Sequence, residues 1–509
     1  MRGDNVKSPY LKNTDVNGRN YINGEYCKTG KLFFESLSPF KQNIIGLVPH
    51  TTKEEVDLAI ASAQEAFRVW GRNDKWSWVK RAEVMDAWVQ LIKQERENIA
   101  IMISLESGKV LNESRAEVIE AIHMLQYCAG RGRMPIGYKI SSEIPEKEAE
   151  TYLAPKGVCG VITPWNFPFA IPTWLIGPAL VSGNTVVFKP SEETPLTAQF
   201  LIYLFDQATR DYNIPPGILN LIQGDGKAGH QLMEHPDVKG LLFTGSYDVG
   251  SGIKKIAAAS DEKFAICEMG GKNSLIVLAD CDLEMAVNAA IPSAFKTTHQ
   301  RCVSADMIIV EKKIERKFTK LFLKKAKEVK FGDPFADSGI FSGPMINERA
   351  LNKHAHNISM TKKDAELLWG GGVLGDLLVE PTVFRMEKYN KCFATQEEFF
   401  TPLAVIVPVN DFEEALYAAN NTKYGLSMAL MTNDYRKMRE FKIRGKAGLK
   451  YVNLPSIGAE VHLPFGGLRR SGTGMPSAAW LFNYLCHETA FTVNYGEEIK
   501  MAQGLSVKT

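Results

Sequence analysis

Cys302, in HQRCVSA, and Glu268, in CEMGGKN, stand 34 residues apart. A thiol and a carboxylate are a workable pair for making a thioester and then hydrolysing it. Taken singly, each has a plainer reading: Cys302 as a packed thiol, Glu268 as a turn residue ahead of two glycines. Asn166 lies between two prolines in TPWNFPF, residues 163–169. A buried side-chain amide needs hydrogen-bond partners. It either ties its loop down or points an N–H at a developing oxyanion.

Three turns could hold a phosphate or a sugar. In FTGSYDVG (243–250), Gly245 and Ser246 end a strand and open an amphipathic helix. Unpaired N–H groups and the helix dipole there favour a pyrophosphate, and a simple helix cap is the alternative. In VFKPSEETP (187–195), Lys189 ends a strand and can hydrogen-bond a ribose, while Glu192 would accept from a ribose hydroxyl and repel a 2′-phosphate. A solvated turn is the alternative. A GxGxxG occurs at Gly224, Gly226 and Gly229, between a strand and a helix. The acidic residue expected about 20 positions on is missing, because the next strand ends in FTGS; a tight turn reads more simply.

These residues need elements to carry them. Thr52 and Glu55 fit a capping box for a helix over 52–70, with Val56, Ile60, Ala63 and Phe67 at helical spacing. A second helix is expected over 80–105, stopped by Gly108. Apolar runs at 157–163, 184–188, 218–222 and 240–244 read as buried parallel strands, with helices near 194–208, 226–234 and 247–259. In the last of these Val249, Ile253 and Ile256 should face inward. A second such block follows Glu268, with strands at 274–278, 307–310, 403–409 and 427–431 and helices at 314–329, 411–420 and 433–443. The fold class is therefore α/β, with two doubly wound, Rossmann-like domains. The stretches 139–155 and 490–496 read as edge strands, either exchanged with another subunit or covered within one monomer.

Composition narrows the function. The chain has 509 residues, enough for two to four domains at about 150 each. Lys and Arg number 60 against 58 Asp and Glu, so no charge excess drives binding to nucleic acid or an anionic membrane. Gly157 to Phe188 is 32 residues without a charge. Pro164, Pro168, Pro172 and Pro178 interrupt it, so it reads as interior strands joined by a structured loop, not a membrane span. Eight cysteines show no CxxC pair and no zinc spacing, so no metal site is expected. The polar start MRGDNVKSPYLKNTDVNG has no apolar core of a secretory signal. A reduced, cytoplasmic protein is the expectation.

Together and in order, TPWNFPF, KPSE, FTGSxxVG, EMGGKN, QRC, EEFFTP (397–402) and PFGGxxxSGxG (464–474) resemble the aldehyde dehydrogenase superfamily, from YINGEY (21–26) to the C-terminal strand. The resemblance implies that Cys302 is the nucleophile, Glu268 the base that activates water, and Asn166 the oxyanion donor beside the Cys302 N–H. It implies an NAD or NADP site built from Ile162, Thr163, Pro164, Trp165, Lys189, Glu192, Gly226, Phe243, Gly245, Ser246, Val249, Glu398 and Phe400, with Glu192 favouring NAD. Such a site needs the thiol's pKa lowered. The aldehyde would meet Arg301, Phe167, Trp174 and Phe465. The segment 452–467 resembles branches acting on carboxylated semialdehydes, and Arg301 could pair with a substrate carboxylate or sit in a structural ion pair. The implied division is a cofactor domain at 1–138 and 157–270, a catalytic domain at 271–480, and an oligomerisation element at 139–156 and 481–509 that makes a homodimer or homotetramer. Four positions depart from the pattern: His299 for a usual glycine, Met307 for arginine, Leu175 for lysine and Thr401 for glycine. A CoA-acylating enzyme is disfavoured by Glu268. A catalytically retired member is disfavoured by the intact Cys302, Glu268 and Asn166.

Overall fold

The computed structural model describes residues 17–27, 32–336 and 339–501; the polar start up to residue 16 and residues 502–509 lie outside it. Helix α1 (Lys53–Trp70) begins with the expected box: Glu55 N donates to Thr52 Oγ1 at 3.3 Å and Thr52 N to Glu55 Oε2 at 2.8 Å. Helix α2 (Trp78–Ser107) ends at Gly108, whose φ of +70° suits glycine. Helix α3 (Leu111–Arg131) packs back against α2.

Five parallel strands form the centre of the first sheet: β1 (Val158–Ile162), β2 (Thr185–Lys189), β3 (Leu219–Leu221), β4 (Val238–Gly245) and β5 (Phe264–Met269). Their spatial order is β3-β2-β1-β4-β5. The chain leaves β1 towards one side and returns to its other side at β4. That reversal opens a crevice beyond the carboxyl ends of β1 and β4, where open α/β sheets bind ligands. Short antiparallel strands extend the sheet: Tyr21–Ile22 beside β3, and Gly472–Thr473 beside β5. The latter comes from the segment expected in the catalytic block.

Between β1 and β2 the expected loop is in fact a helix, α4 (Ala170–Val181), buried at every position. Pro172 falls in its first turn, where an N–H has no helical acceptor, and only Pro178 removes an interior bond. Burial all round also erases the amphipathic stripe that would have revealed it. Helices α5 (Pro195–Thr209) and α6 (Gly226–Glu234) follow β2 and β3, and α7 (Tyr247–Ala258) follows β4. Ile253 of α7 is buried, but Val249 is 53% exposed, contrary to the inward face expected for it. It sits in the first turn, beyond the reach of the sheet.

Two buried carboxylates tie the α2–α3 pair to this sheet. Glu106 accepts from Leu196 N at 2.9 Å and Thr197 N at 2.6 Å, at the start of α5. Glu117 accepts from Phe169 N at 2.8 Å and Ala170 N at 3.1 Å, at the start of α4. Each satisfies N–H groups that a helix start leaves unpaired.

The second sheet has seven strands in the order Glu366–Trp369, Thr382–Arg385, Leu403–Val409, Ala305–Glu311, Asn273–Val277, Ser427–Met431 and Leu449–Val452. All pairings are parallel except at the Glu366–Trp369 edge. The two stretches read as edge strands pair with each other: Cys486–Asn494 runs antiparallel to Lys147–Pro155, which also pairs with Lys139–Ser141. No helix among the described residues is long and apolar enough to cross a membrane.

Candidate active site

Glu268 ends β5 and is buried, and its neighbours Gly270 and Gly271 turn the chain beneath Glu398. Gly271 N donates to Glu398 Oε1 at 3.0 Å, and a β-carbon on Gly270 would strike that carboxylate. The paired glycines thus let an acidic side chain approach the main chain.

Cys302 follows three residues in left-handed conformation, Thr297, Thr298 and His299, with φ of 53°, 53° and 62°. Such a run is costly and must be held from outside. Thr297 Oγ1 donates to Glu113 Oε1 at 2.6 Å, and Thr298 Oγ1 to Gly343 O at 2.8 Å. Asn273 Nδ2 donates to Cys302 O at 2.6 Å and Ser304 O at 2.9 Å, and Ser456 Oγ to Val303 O at 2.9 Å. The main chain around Cys302 is clamped on both sides.

Asn166, in the segment between β1 and α4, meets this loop. Its Nδ2 donates to Gln300 O at 2.9 Å, which leaves the second amide hydrogen uncommitted. Its main-chain oxygen accepts from Lys109 Nζ at 2.7 Å, and that ammonium is paired with Glu117 Oε2 at 2.5 Å, both side chains buried. The loop is tied down, and one N–H of the Asn166 amide stays uncommitted.

A cavity of about 310 Å³ opens along the β1–β4 crevice, walled by Pro164, Trp165, Asn166, Gly245, Ser246, Glu398 and Phe400. A second, of about 70 Å³, is walled by Phe167, Trp174, Arg301 and Phe465. Ile171, Thr244, Glu268 and Cys302 belong to both. The thiol and the carboxyl therefore stand where a long crevice meets a small aromatic pocket.

The thiol is not a standing thiolate. Burial first, and then the negative charge of Glu268, push the Cys302 thiol well above its ordinary value. This reverses the lowered pKa expected from the sequence. Burial and the charge of Glu398 likewise raise Glu268, although a hydrogen bond from the Cys302 thiol opposes this. Both groups thus hold their protons more tightly than usual, and the Glu268 carboxyl lies beside the Cys302 thiol.

The large cavity suits a dinucleotide. Ser246 begins α7 without a side-chain cap, so the helix's first N–H groups keep no side-chain acceptor. Thr163 Oγ1 at the end of β1 is buried and without a partner. Phe400 meets Trp165 edge-on at 5.7 Å on the cavity wall. Lys189 is buried at the end of β2, 3.3 Å from Glu192. Ile162 lies half-buried at the end of β1. Gly226 lies apart: the Asp225 carboxylate already caps α6 by accepting from Lys227 N at 2.9 Å, an unfavourable setting for a phosphate. Phe243 is also set apart from the wall; it is buried in the core beneath Gly245, where it packs as support.

Arg301 is committed to the protein. Its Nε donates to Thr297 Oγ1 at 2.6 Å and its Nη2 to Glu113 Oε1 at 3.3 Å. Its guanidinium and the Lys109 ammonium lie 5.1 and 3.9 Å from the Phe167 ring centre. Leu175 and Met307 are buried among apolar neighbours, and Asn357 Nδ2 donates to Thr401 Oγ1 at 3.0 Å, so these departures are absorbed by packing. Several residues escaped the sequence reading: Lys109, Glu113, Glu117, Asn273 and Asp306. Asn273 stood inside EMGGKN without a role, and Glu113 and Glu117 are acids on the inward stripe of α3.

The aldehyde dehydrogenase family model matches residues 26–490. The α-ketoglutaric semialdehyde dehydrogenase of Bacillus subtilis (strain 168) is 36% identical, over 89% of this chain and 93% of its own. Aldehyde dehydrogenase 1A1 of Mus musculus is 36% identical, over 89% of this chain and 90% of its own. The crystal structure of Staphylococcus aureus betaine aldehyde dehydrogenase in complex with NAD+ superposes with a TM-score of 0.89 at 30% identity, covering 96% of this chain and 97% of that one. With the family's motifs folded into one thiol–carboxyl–amide site, the chain belongs to the aldehyde dehydrogenase family.

Proposed function

We propose that this NAD(P)-dependent aldehyde dehydrogenase oxidises its aldehyde to the free acid through a thioester on Cys302. The observation that carries this is the convergence of Cys302, Glu268 and Asn166 where the two cavities meet. The thiol sulfur bonds to the aldehyde carbon while Glu268 takes the thiol proton. The carbonyl oxygen becomes an oxyanion, held by the second Asn166 N–H and the Cys302 main-chain N–H. When bound, a nicotinamide would accept the hydride that leaves this carbon as its C–O double bond re-forms, which gives the thioester on Cys302. Glu268, once it has passed the thiol proton to solvent, draws a proton from water as the water attacks the thioester carbon, and the Cys302 sulfur leaves as a thiolate that takes that proton back.

Pro164, Trp165, Gly245, Ser246, Glu398 and Phe400 would hold the cofactor. Lys189 and Glu192 would face its adenine ribose, with Val249 beside the adenine; the Glu192 carboxylate favours NAD over NADP. The named relatives include a semialdehyde dehydrogenase, which supports a semialdehyde among the substrates. We assign the Rossmann-like sheet to cofactor binding, the seven-stranded sheet to catalysis, and the three-stranded sheet around Lys147–Pro155 to homo-oligomerisation. Eight unpaired thiols suit the cytoplasm.

The test is NADH formation from aldehyde without coenzyme A. Cys302→Ala should abolish it and still bind NAD. Failure across a broad aldehyde panel, with NAD binding kept, would overturn the reading.

A further inference from the structure

We propose that Glu120 reads the far end of the substrate and selects aldehydes whose tail carries a hydrogen-bond donor, an ammonium group above all. This rests on the aldehyde reading above. Glu120 lies on α3 and walls the same small cavity as Cys302. Much of the rest of that wall is apolar: Phe167, Ile171, Val303 and Phe465. A substrate held by its carbonyl at Cys302 must therefore point its tail into a pocket with few polar groups.

Arg301 on that wall, and the charged Lys109 and Glu117 that act on Glu120 from behind it, are already paired. Arg301 is spent on Glu113 and Thr297. Lys109 is spent on Glu117 and on the main chain of Asn166. Glu117 is further satisfied by two main-chain N–H groups. Glu120 has no ion pair among the described residues. Its polar neighbour is the buried indole N–H of Trp174, which has no partner at normal hydrogen-bond geometry. The pocket thus holds an acid without a cation of its own.

Electrostatics agrees with that geometry. Burial, and then the charge of Glu117, push Glu120 up to about 7; Arg301 and Lys109 oppose the shift without cancelling it. Above that pH the pocket holds a poorly compensated anion. An ammonium tail would supply the missing charge and a donor. A carboxylate tail would set a second anion against the first. A hydrogen bond to a charged group gives about 10- to 100-fold in selectivity.

The experiment compares kcat/KM for 3-aminopropanal, butanal and succinic semialdehyde at pH 8, in wild type, Glu120→Gln and Glu120→Arg. Ratios within one preparation cancel any loss of folded enzyme. Wild type should favour 3-aminopropanal over butanal, and Glu120→Gln should lower that ratio about 10- to 100-fold. Glu120→Arg should move the preference to succinic semialdehyde. Equal ratios in wild type and Glu120→Gln, with butanal oxidised, would overturn the role of Glu120 alone. No oxidation of any aldehyde by wild type, with NAD still bound, would overturn the aldehyde reading itself and this role with it.

Discussion

His299 Nε2 lies 2.8 Å from Asp306 Oδ1, with both side chains buried behind the nucleophile's loop. The other Asp306 oxygen lies 3.3 Å from the Lys272 ammonium, and His299 Nδ1 meets the main-chain oxygen of Ala294. An imidazole thus replaces the family's glycine at a left-handed position, three residues before Cys302. A side chain there costs about 1–2 kcal/mol in backbone strain. The hydrogen bonds to Asp306 and Ala294 offset that cost.

His299→Gly therefore tests which side wins. Glycine relieves the strain but strands a buried carboxylate oxygen, at about 1–3 kcal/mol. We expect a net loss of stability of about 1 kcal/mol, read as a lower midpoint in urea. An unchanged or higher midpoint would show that the imidazole contributes nothing to the loop.

The Lys109–Glu117 pair makes a sharper case. Lys109→Met leaves the buried Glu117 carboxylate without its cation, and breaking such a pair costs about 3–5 kcal/mol. It also frees the main chain of Asn166, so kcat should fall with stability. The double variant Lys109→Met, Glu117→Gln removes the stranded charge and should recover part of the stability. If the double variant is as unstable as the single one, charge is not what holds this loop.

That pair also shows what the sequence could not reveal. Cys302, Glu268 and Asn166 were legible because their neighbours repeat a family pattern. Most strands and helices were legible because their apolar residues recur at fixed spacing. Lys109 and Asn166 are 57 positions apart, and nothing local marks them as partners. Arg301 offered two readings from sequence alone, and only the fold brings it against Thr297 and Glu113 in an ion pair. Helix α4 stayed hidden because prolines read as breaks, whereas one of them sits where a helix tolerates it.

Glu120 gives a pH-dependent prediction. Its carboxyl is pushed up to about 7 from the ordinary 4.5, so the folded state holds this proton more tightly than the unfolded chain. Between those values the folded state binds the proton and the unfolded chain does not, so this group's contribution falls as pH rises through the window. Glu120→Gln cannot titrate. Urea midpoints at pH 5 and pH 8 should show the variant gaining on wild type at the higher pH. A constant difference would mean that Glu120 ionises normally.

The last prediction separates the two roles of Glu268. Its charge is the second cause, after burial, of the high pKa of Cys302. Glu268→Gln removes that charge but leaves the burial. The thiol should then ionise at lower pH, and its alkylation by iodoacetamide should move to lower pH, while staying above an exposed cysteine. Hydrolysis of the thioester loses its base at the same time. The first turnover should therefore appear as a burst of NADH, followed by a steady rate lowered about 100-fold or more. A slower steady rate without a burst would place the role of Glu268 before the thioester. An alkylation profile that stays in place would mean its charge does not reach the thiol. Both results together would confine Glu268 to the first addition, where it accepts the thiol proton, because a base that neither perturbs the resting thiol nor speeds hydrolysis has only that step left.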